Sequence, residues 1–443
     1  MLSRESLPIV ACVTPWGSGA VAIVRLSGLE LRPLILELCG RVPRPWGVCH
    51  VQLRDTRGAF DDGLLTWMPA PRSYTGEDVA EISCHGNPAL VERLLGACLD
   101  LGARMAAPGE FTRRALLNGK IDLCRAEAVL QTIEASSPAG LALAWNGLQG
   151  GVSLLAAEVR DALLDLGAEL EAMLDYPEEG LLFASDTELD SRMLVCRERL
   201  HGAVSSYRAG RLAVDGAVVA LIGPVNAGKS SLFNRLLGRP RALVSPTPGT
   251  TRDLIEAPLL LEQVRITLVD TAGERETADP LEAAGIALSA EIVARADLLL
   301  VLQPAHLPPG PELRLIEERT AGRQVLRVET FGGLANHPPA PGVLRVDNQD
   351  GSGIPALRSL LPRLLIGETP GEAAPLLGSA RQHDRLAAAI RHIDAARVAL
   401  GLAGPAVAGE LVCDAIGELG AVLGRDSRED TLDRLFARFC VGK

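Results

Sequence analysis

The sequence predicts a multidomain protein: an α+β N-terminal domain, an α-helical bundle domain, and an α/β P-loop domain inserted into the bundle. The first observation is the motif G-x-x-x-x-G-K-S at residues 223–230, which follows an apolar segment of strand length and precedes a segment with helical periodicity. The second is the alternation of strands and helices over residues 216–366, as in a doubly wound parallel sheet. The third is helical periodicity on both sides of this region, which indicates one bundle split by an insertion.

Composition limits the classes of protein to which the chain can belong. Its 443 residues suffice for two to four domains, and a hydrophobic content of 47% supplies their cores. The net charge of −11 argues against a generally basic surface for nucleic acids, but it leaves a local basic patch open. The N-terminus has no signal-peptide pattern and no apolar run reaches about 18 residues, so we expect a cytoplasmic protein without a membrane span.

The predicted domain boundaries follow changes in periodicity. Residues 1–118 form the α+β domain, because short apolar strands and one amphipathic helix, residues 88–101, succeed one another there. Residues 119–212 together with 372–443 form the helical domain, and residues 216–367 form the inserted domain. Within the helical domain, apolar residues from Leu141 to Leu170 recur at three- and four-residue steps. This pattern predicts one long amphipathic helix.

The P-loop motif carries its own chemistry. Glycines allow a tight backbone whose N–H groups point at phosphate oxygens, and the following helix adds its positive N-terminal end. Lys229 is expected to reach the β- and γ-phosphates of a nucleotide, and the Ser230 hydroxyl is expected to bind Mg²⁺. Only three of the 44 lysines and arginines are lysines: Lys120, Lys229 and Lys443. A compact ammonium between phosphates is not replaceable by a guanidinium, which explains the lysine at 229.

Two further motifs follow at the spacing of a GTPase. The sequence G-T-T-R-D begins at Gly249, and there Thr251 can complete the Mg²⁺ shell. The sequence D-T-A-G begins at Asp270, after a predicted strand, and matches the second switch of GTPases. The predicted nucleotide-binding residues are Asn226, Ala227, Gly228, Lys229, Ser230, Ser231, Ser245, Pro246, Thr247, Pro248, Gly249, Thr250, Thr251, Asp270, Thr271, Ala272 and Gly273.

These motifs and several outside the nucleotide domain give the chain a family resemblance. With Asn226 in the P-loop and the two switch motifs, the chain resembles the TrmE/MnmE family of tRNA-modification GTPases. The segments S-Y-T-G-E-D at 73–78, P-G-E-F-T at 108–112, N-G-K-I-D-L at 118–123 and C-V-G-K at 440–443 are similar to further motifs of that family. The resemblance therefore covers essentially the whole chain.

The resemblance implies cofactors, partners and residue roles. It implies a GTPase that uses Mg²⁺ and K⁺, a tetrahydrofolate derivative as one-carbon donor, a homodimer, an FAD-dependent partner of the GidA/MnmG type, and tRNA. The product would be a carboxymethylaminomethyl or aminomethyl group on the wobble uridine. Glu282 would position the hydrolytic water, with Lys229 and Asn226 as further catalytic residues. K⁺ would be held by Asn226, Ser245, Thr247 and Thr250. Folate would be contacted by Arg25, Glu81, Lys120 and Lys443.

Both motifs that read guanine depart from the family pattern. GTPases carry N-K-x-D after one strand, where this chain has T-F-G-G at residues 330–333. They carry S-A-[KR] after the next strand, where this chain has D-N-Q at residues 347–349. The missing aspartate at Gly333 predicts weakened guanine discrimination. Two alternatives stay open: a divergent scaffold that recognises guanine poorly, and an RNA-binding GTPase switch of the ribosome-assembly type.

Overall fold

The computed structural model describes residues 7–175, 183–224, 226–238, 255–270, 293–366, 377–425 and 429–443. The chain divides into two compact units, residues 1–130 with 413–443 and residues 131–412. The boundaries fall inside two helices, Leu123–Glu134 and Pro405–Leu423. The boundaries of the three domains predicted from the sequence differ from those of the two compact units, and the three-domain division stays a prediction.

The first unit contains a six-stranded sheet with the strand order β3-β4-β5-β2-β1-β6. Neighbouring strands are antiparallel, except that β1 and β6 are parallel. The strands are β1 (Ile9–Cys12), β2 (Val21–Gly28), β3 (Val48–Asp55), β4 (Gly58–Met68), β5 (Asp78–His85) and β6 (Arg104–Met105). Helices α1 (Arg32–Cys39) and α2 (Pro88–Asp100) cover the apolar face of this sheet. Helix α2 begins where Asn87 accepts the Ala89 N–H and Pro88 takes the first helical position, and it matches the helix predicted at 88–101.

Helices α3 (Glu110–Leu117) and α4 (Leu123–Glu134) follow in the chain, and the C-terminal residues lie against them within the same unit. Leu123, Phe436 and Phe439 share one apolar cluster. The last residues form a backbone bridge between Pro108 and Val441, and the Phe111 N–H donates to the Lys443 carbonyl at 3.2 Å. The C-terminus is therefore part of the packed structure of this unit.

The second unit contains the sheet of the inserted domain, with the strand order β12-β11-β10-β7-β9-β8. The strands are β7 (Ala217–Ile222), β8 (Ile255–Leu261), β9 (Val264–Asp270), β10 (Leu298–Pro304), β11 (Val325–Thr330) and β12 (Val343–Arg345). All described pairs are parallel except β8 with β9, so the expected parallel sheet has one antiparallel edge strand. Apolar side chains of β7 and β10 are buried on both faces, which explains their continuous hydrophobic sequences.

The described residues of the second unit also form helices. They are α5 (Pro138–Leu148), α6 (Gly151–Asp175), α7 (Asp186–Ser205), α8 (Tyr207–Asp215), α9 (Lys229–Leu237), α10 (Pro311–Arg319), α11 (Ile354–Ile366), α12 (Ala380–Leu402) and the first part of α13 (Pro405–Leu423). Helix α14 (Glu429–Phe436) belongs to the first unit. No helix of the described residues has the length and apolar character needed to cross a membrane.

The single long helix predicted from Leu141 to Leu170 is wrong. Two helices, α5 and α6, replace it, because Gly150 adopts a left-handed conformation (φ 92°) that ends the first helix. Leu141 and Trp145 are exposed, whereas the residues of α6 that continue the pattern are buried, apart from the half-buried Leu155: Val152, Val159, Leu163, Leu166 and Leu170. The apolar spacing was continuous across a backbone break, and spacing alone does not register such a break.

Candidate functional sites

The P-loop connects β7 to α9 at the carboxyl end of the parallel strands. Gly228 caps α9 in a left-handed conformation (φ 84°), and Asn226 is also left-handed (φ 62°) with an exposed side chain. A Cβ atom on Gly228 would lie 3.4 Å from Asn348 Nδ2 and 3.5 Å from Phe331 Cε2. These are ordinary van der Waals distances, so the left-handed backbone conformation, and not a lack of space, is what favours glycine at 228.

Lys229 stands at the start of α9 with its ammonium directed back into the loop. Its Nζ donates to the carbonyls of Gly223 and Pro224, each at 2.8 Å. Burial lowers the pKa of Lys229, although the negative charges of Asp270 and Glu312 act in the opposite direction. The ammonium is thus partly desolvated at the place where the sequence motif puts nucleotide phosphates.

Asp270 ends β9 and is 1% exposed. It pairs in register with Leu221, the penultimate residue of β7, so its carboxylate lies beside the beginning of the P-loop. A serine hydroxyl at 230 and a carboxylate at 270 supply the hard oxygen ligands that Mg²⁺ prefers. The residues present on these two elements therefore fit a nucleotide-bound Mg²⁺ ion.

Several of the predicted site residues lie outside the described residues. These are Ser245, Pro246, Thr247, Pro248, Gly249, Thr250, Thr251, Thr271, Ala272, Gly273 and the predicted catalytic Glu282. The expected roles of these residues in binding Mg²⁺, K⁺ and the attacking water stay predictions. The described part of the site comprises residues 226–231 and Asp270.

The segment after β11 is fastened to the P-loop by a buried hydroxyl. Thr330 is fully buried, and its Oγ1 lies 2.8 Å from the Ala227 carbonyl and 3.3 Å from the Gln303 carbonyl. The next residue, Phe331, is left-handed (φ 58°), and its ring makes an edge contact with His306 at a centroid distance of 5.6 Å. The sequence shows that residues 330–333 lack the lysine and the aspartate, and it suggests that the Phe331 ring stacks on a base. It does not show that the Thr330 hydroxyl holds this segment to the P-loop.

Asp347 links the segments after β11 and β12. Its Oδ2 accepts the Gly333 N–H at 2.7 Å and its Oδ1 accepts the Gln349 N–H at 2.7 Å. Hydrogen bonds from these N–H groups, with a further one from Asp350, lower the pKa of Asp347 below its usual range. The side chain is 7% exposed and stays a carboxylate at neutral pH.

In the first unit, Arg25 and Glu81 face each other on adjacent strands. They are register partners of β2 and β5, and Glu81 Oε1 accepts from Arg25 Nε at 2.8 Å and lies 2.7 Å from Nη2. The guanidinium lies 5.8 Å from the ring centroid of Tyr74 and 5.6 Å from that of Phe111. Phe111 is fully buried and Tyr74 is half-buried, so the arrangement offers a partly exposed ion pair and one accessible aromatic ring, which suits a ligand that is both polar and aromatic.

The C-terminal residue, Lys443, lies near the Arg25–Glu81 ion pair. Burial and the positive charge of Arg25 lower the pKa of Lys443, and the charge of Glu81 opposes this shift, so the ammonium lies close to both side chains. The Nζ of Lys120, in the same unit, donates to the Pro71 carbonyl at 2.9 Å. The structure therefore brings together three of the four predicted folate contacts, Arg25, Glu81 and Lys443, and attaches the fourth to the loop at residues 71–76.

The motifs of the first unit hold one another in place. Tyr74 and Thr112 share a hydrogen bond of 2.8 Å, the Asn118 amide donates to the Thr75 carbonyl at 2.7 Å, and Arg114 pairs with Glu77 at 2.9 Å. The segments at 73–78, 108–112 and 118–123 thus form one connected network. Sequence spacing gave no indication of these pairings.

Two family models match consecutive parts of the chain. The family model described as "GTP-binding protein TrmE N-terminus" matches residues 8–120, and the one described as "MnmE helical domain" matches residues 123–440. A relative named tRNA modification GTPase MnmE from Azoarcus sp. is 38% identical, with 100% of both chains covered. One of the same name from Thermus thermophilus is 40% identical, covering 98% of this chain and 99% of the relative.

Two solved structures each match a third to two fifths of the chain. A variant of Aquifex aeolicus Era bound to GDP·AlF4− covers 40% of this chain and 66% of that chain at 20% identity, with a TM-score of 0.29. The G domain of the T. maritima FeoB iron transporter covers 33% of this chain and 98% of that chain at 22% identity, with a TM-score of 0.28. Scores this low support no conclusion about function.

The fold and the described part of the phosphate site define a multidomain protein with an inserted P-loop nucleotide domain. The predicted fold class is confirmed. The chain belongs to the MnmE family of tRNA modification GTPases.

Proposed function

We propose that this chain is the GTP-hydrolysing subunit of a complex that modifies the wobble uridine of certain tRNAs in the cytoplasm. The observation that carries the proposal is the P-loop with Lys229 and Asp270 side by side, in a chain that matches proteins named tRNA modification GTPase over its full length. An added aminomethyl-type group is the proposed modification.

The described residues can perform the phosphate chemistry in separate roles. Lys229 would exchange its two carbonyl partners for phosphate oxygens, and the partial desolvation of its ammonium strengthens that attraction. Ser230 and Asp270 would hold Mg²⁺ directly or through water. Bound Mg²⁺ and K⁺ would supply positive charge that stabilises the charge developing on the phosphates. Glu282 is proposed to position the attacking water, and Asn226, Ser245, Thr247 and Thr250 to hold K⁺.

The site at Arg25 is proposed to hold a tetrahydrofolate derivative. Arg25, Glu81 and Lys443 provide charged groups, and the half-buried ring of Tyr74 provides an aromatic surface, while the fully buried ring of Phe111 packs near the Arg25 guanidinium. Such a folate would supply the one-carbon unit of the modification. The proposed partners are a second copy of the chain, paired through the N-terminal domain, an FAD-dependent protein of the GidA/MnmG type, and tRNA.

The test is hydrolysis by the purified full chain with Mg²⁺ and K⁺, measured as phosphate release. Lys229→Ala should abolish release, whereas Arg319→Ala, an exposed arginine at the end of α10, should leave it unchanged. In cells that lack their own MnmE-type protein, the wild-type chain but not Lys229→Ala should restore the modified wobble uridine, measured by mass spectrometry of tRNA. A wild-type chain that releases no phosphate from GTP contradicts the proposal.

A second candidate is a divergent scaffold that binds folate and its partner but recognises guanine poorly. The replacement of N-K-x-D by T-F-G-G favours it, because Gly333 has no carboxylate with which to read the base. Under this candidate the modified uridine would be restored equally by the wild-type chain and by Lys229→Ala.

A further inference from the structure

The base-binding end of the nucleotide site retains a carboxylate, although it comes from a different loop. Thr330 fixes the segment after β11 to Ala227 of the P-loop, and Asn348, in the segment after β12, lies against Gly228. Both segments therefore meet the P-loop at the point where a nucleotide bound to Lys229 would extend its base. This placement depends on the proposed function, since it assumes a nucleotide in the P-loop.

The position left empty by Gly333 is where the carboxylate of Asp347 lies. A Cβ atom on Gly333 would stand 3.1 Å from Asp347 Oδ2, the same oxygen that accepts the Gly333 N–H. A side chain at 333 would begin in contact with this oxygen, so the two positions can supply a carboxylate to the same place only one at a time. The glycine in T-F-G-G is thus what admits Asp347.

The carboxylate has capacity for another donor. Two ionised oxygens offer about four lone-pair directions, and the backbone N–H groups of residues 333, 349 and 350 use three of them. A charged oxygen with a remaining acceptor direction attracts an N–H of a base and repels a lone pair. Guanine presents N1–H on its Watson–Crick edge, whereas adenine presents an unprotonated N1 at that position.

Asn348 provides a second polar group in the same place. Its Oδ1 is buried and has no hydrogen-bond partner among the described residues, and its Nδ2 is 3.4 Å from the Gly228 carbonyl, a long contact. Buried polar atoms without partners are uncommon in folded proteins because they lose hydration without compensation. A base edge beside Gly228 would give this amide its missing partner.

We propose that Asp347, in the loop after β12, is the residue that determines base specificity. It replaces the aspartate of the N-K-x-D motif of other GTPases, whose place in this chain is occupied by Gly333. One charge-assisted hydrogen bond to guanine N1–H gives GTP a preference over ATP of about tenfold to a hundredfold. This preference is smaller than a carboxylate with two free acceptor directions would give, since backbone N–H groups occupy the others. Guanine recognition is therefore reduced in this chain and is not lost.

The first test uses Asp347→Asn in the full chain, with GTP and ATP competing for binding of a fluorescent GTP analogue. An amide can accept from guanine N1–H with its oxygen or donate to adenine N1 with its N–H, so affinity for GTP relative to ATP should fall at least tenfold. Asp350→Asn is the matched control, because Asp350 is exposed and its side chain accepts only the Ser352 N–H among the contacts seen. The GTP-to-ATP ratio cancels any general loosening of the loop by Asp347→Asn. An unchanged ratio overturns the proposal.

The second test exchanges the two positions. Gly333→Asp alone should weaken GTP binding, because the new carboxylate would meet that of Asp347, and Asp347→Ser alone should remove the preference for GTP over ATP. The double variant Gly333→Asp/Asp347→Ser should restore that preference, as the serine hydroxyl can donate to the new carboxylate. A double variant no better than Asp347→Ser overturns the proposal. A wild-type chain that binds no nucleotide overturns this inference and the proposed function together, whereas GTP hydrolysis with unchanged ratios overturns this inference alone.

Discussion

At the scale of single residues, the nucleotide site depends on short side chains that fasten loops to one another. Thr330 connects β11 to the P-loop, and Asp347 connects the segment after β12 to Gly333. Both side chains are buried, so the loss of either leaves a polar backbone group without its partner in a region that excludes water. Such contacts cost more to break than exposed hydrogen bonds, because water does not replace them.

We expect Thr330→Val to lower the free energy of unfolding by about 1–3 kcal/mol, since the Ala227 carbonyl loses its buried donor. It should also weaken nucleotide binding, because the Ala227 carbonyl belongs to the P-loop. Urea unfolding and titration with a fluorescent GTP analogue measure the two effects. Thr320→Val is the matched control: its hydroxyl donates to the Ile316 carbonyl at 2.8 Å and is equally buried on α10, so it should lose stability and keep nucleotide affinity. Equal nucleotide affinity in both variants would contradict the expectation.

At the scale of elements, the loop between β11 and β12 is closed by His337. Its Nδ1 lies 2.9 Å from the Pro338 carbonyl and its Nε2 lies 3.0 Å from the Ala305 carbonyl. Because both neighbours are acceptors, only the protonated ring can donate to both, and the pKa of His337 is raised. Arg345 beside the ring opposes this shift without reversing it.

The sign of the resulting pH dependence follows from linkage. A histidine whose pKa is higher in the folded state adds stability that is fully present below its unfolded pKa, about 6.5, and is lost as pH rises through the folded pKa. The difference in Tm between the wild-type chain and His337→Gln should therefore shrink between pH 6 and pH 9. His201→Gln, at an exposed histidine of α7, is the control. A Tm difference that grows with pH would show that the ring is not held in its protonated form.

The C-terminal segment is a second element with a local function. Its backbone bridge to Pro108 and the bond from Phe111 place Lys443 beside Arg25 and Glu81. We expect Lys443→Ala to weaken binding of tetrahydrofolate by about tenfold or more, the loss of one charge-assisted hydrogen bond. Lys443→Arg keeps the charge and should lose less. Calorimetric titration measures both, and unchanged affinity in Lys443→Ala, at unchanged Tm, would remove Lys443 from the proposed site.

At the scale of the whole molecule, hydrolysis is expected to need K⁺ and the pairing of two nucleotide domains. The expectation of K⁺ dependence is based on Asn226, whose side chain is exposed on the P-loop, and on the chain's membership of this family. Replacing K⁺ by Na⁺ at matched ionic strength should lower the rate at least tenfold, or about 1.4 kcal/mol of barrier. Asn226→Gly, which tolerates the left-handed backbone, should hydrolyse at the Na⁺ rate in either salt. Equal rates of hydrolysis by the wild-type chain in K⁺ and Na⁺ would contradict the expected K⁺ dependence.

The sequence by itself determined the elements and the phosphate chemistry. The strand before the P-loop, the helix after it and Lys229 at their junction are encoded within about twenty consecutive residues, where side-chain periodicity and glycine placement act locally. The short apolar strands that the sequence predicts in the first domain, at residues 21–26, 64–68 and 79–83, lie within β2, β4 and β5 for the same reason. The resemblance to the family is recognised from the order of the motifs along the chain, and it does not require knowledge of which motifs contact one another in the folded protein.

Only the tertiary structure decided which distant residues share a site. Asp347 meets Gly333 because two parallel strands end side by side, and Lys443 meets Arg25 because the C-terminus packs against α3. The break at Gly150 and the antiparallel β8 were hidden for a related reason: apolar spacing reports which residues are buried, not the backbone direction between them. A missing aspartate is visible in one motif, whereas its replacement from another loop is visible only once both loops are folded.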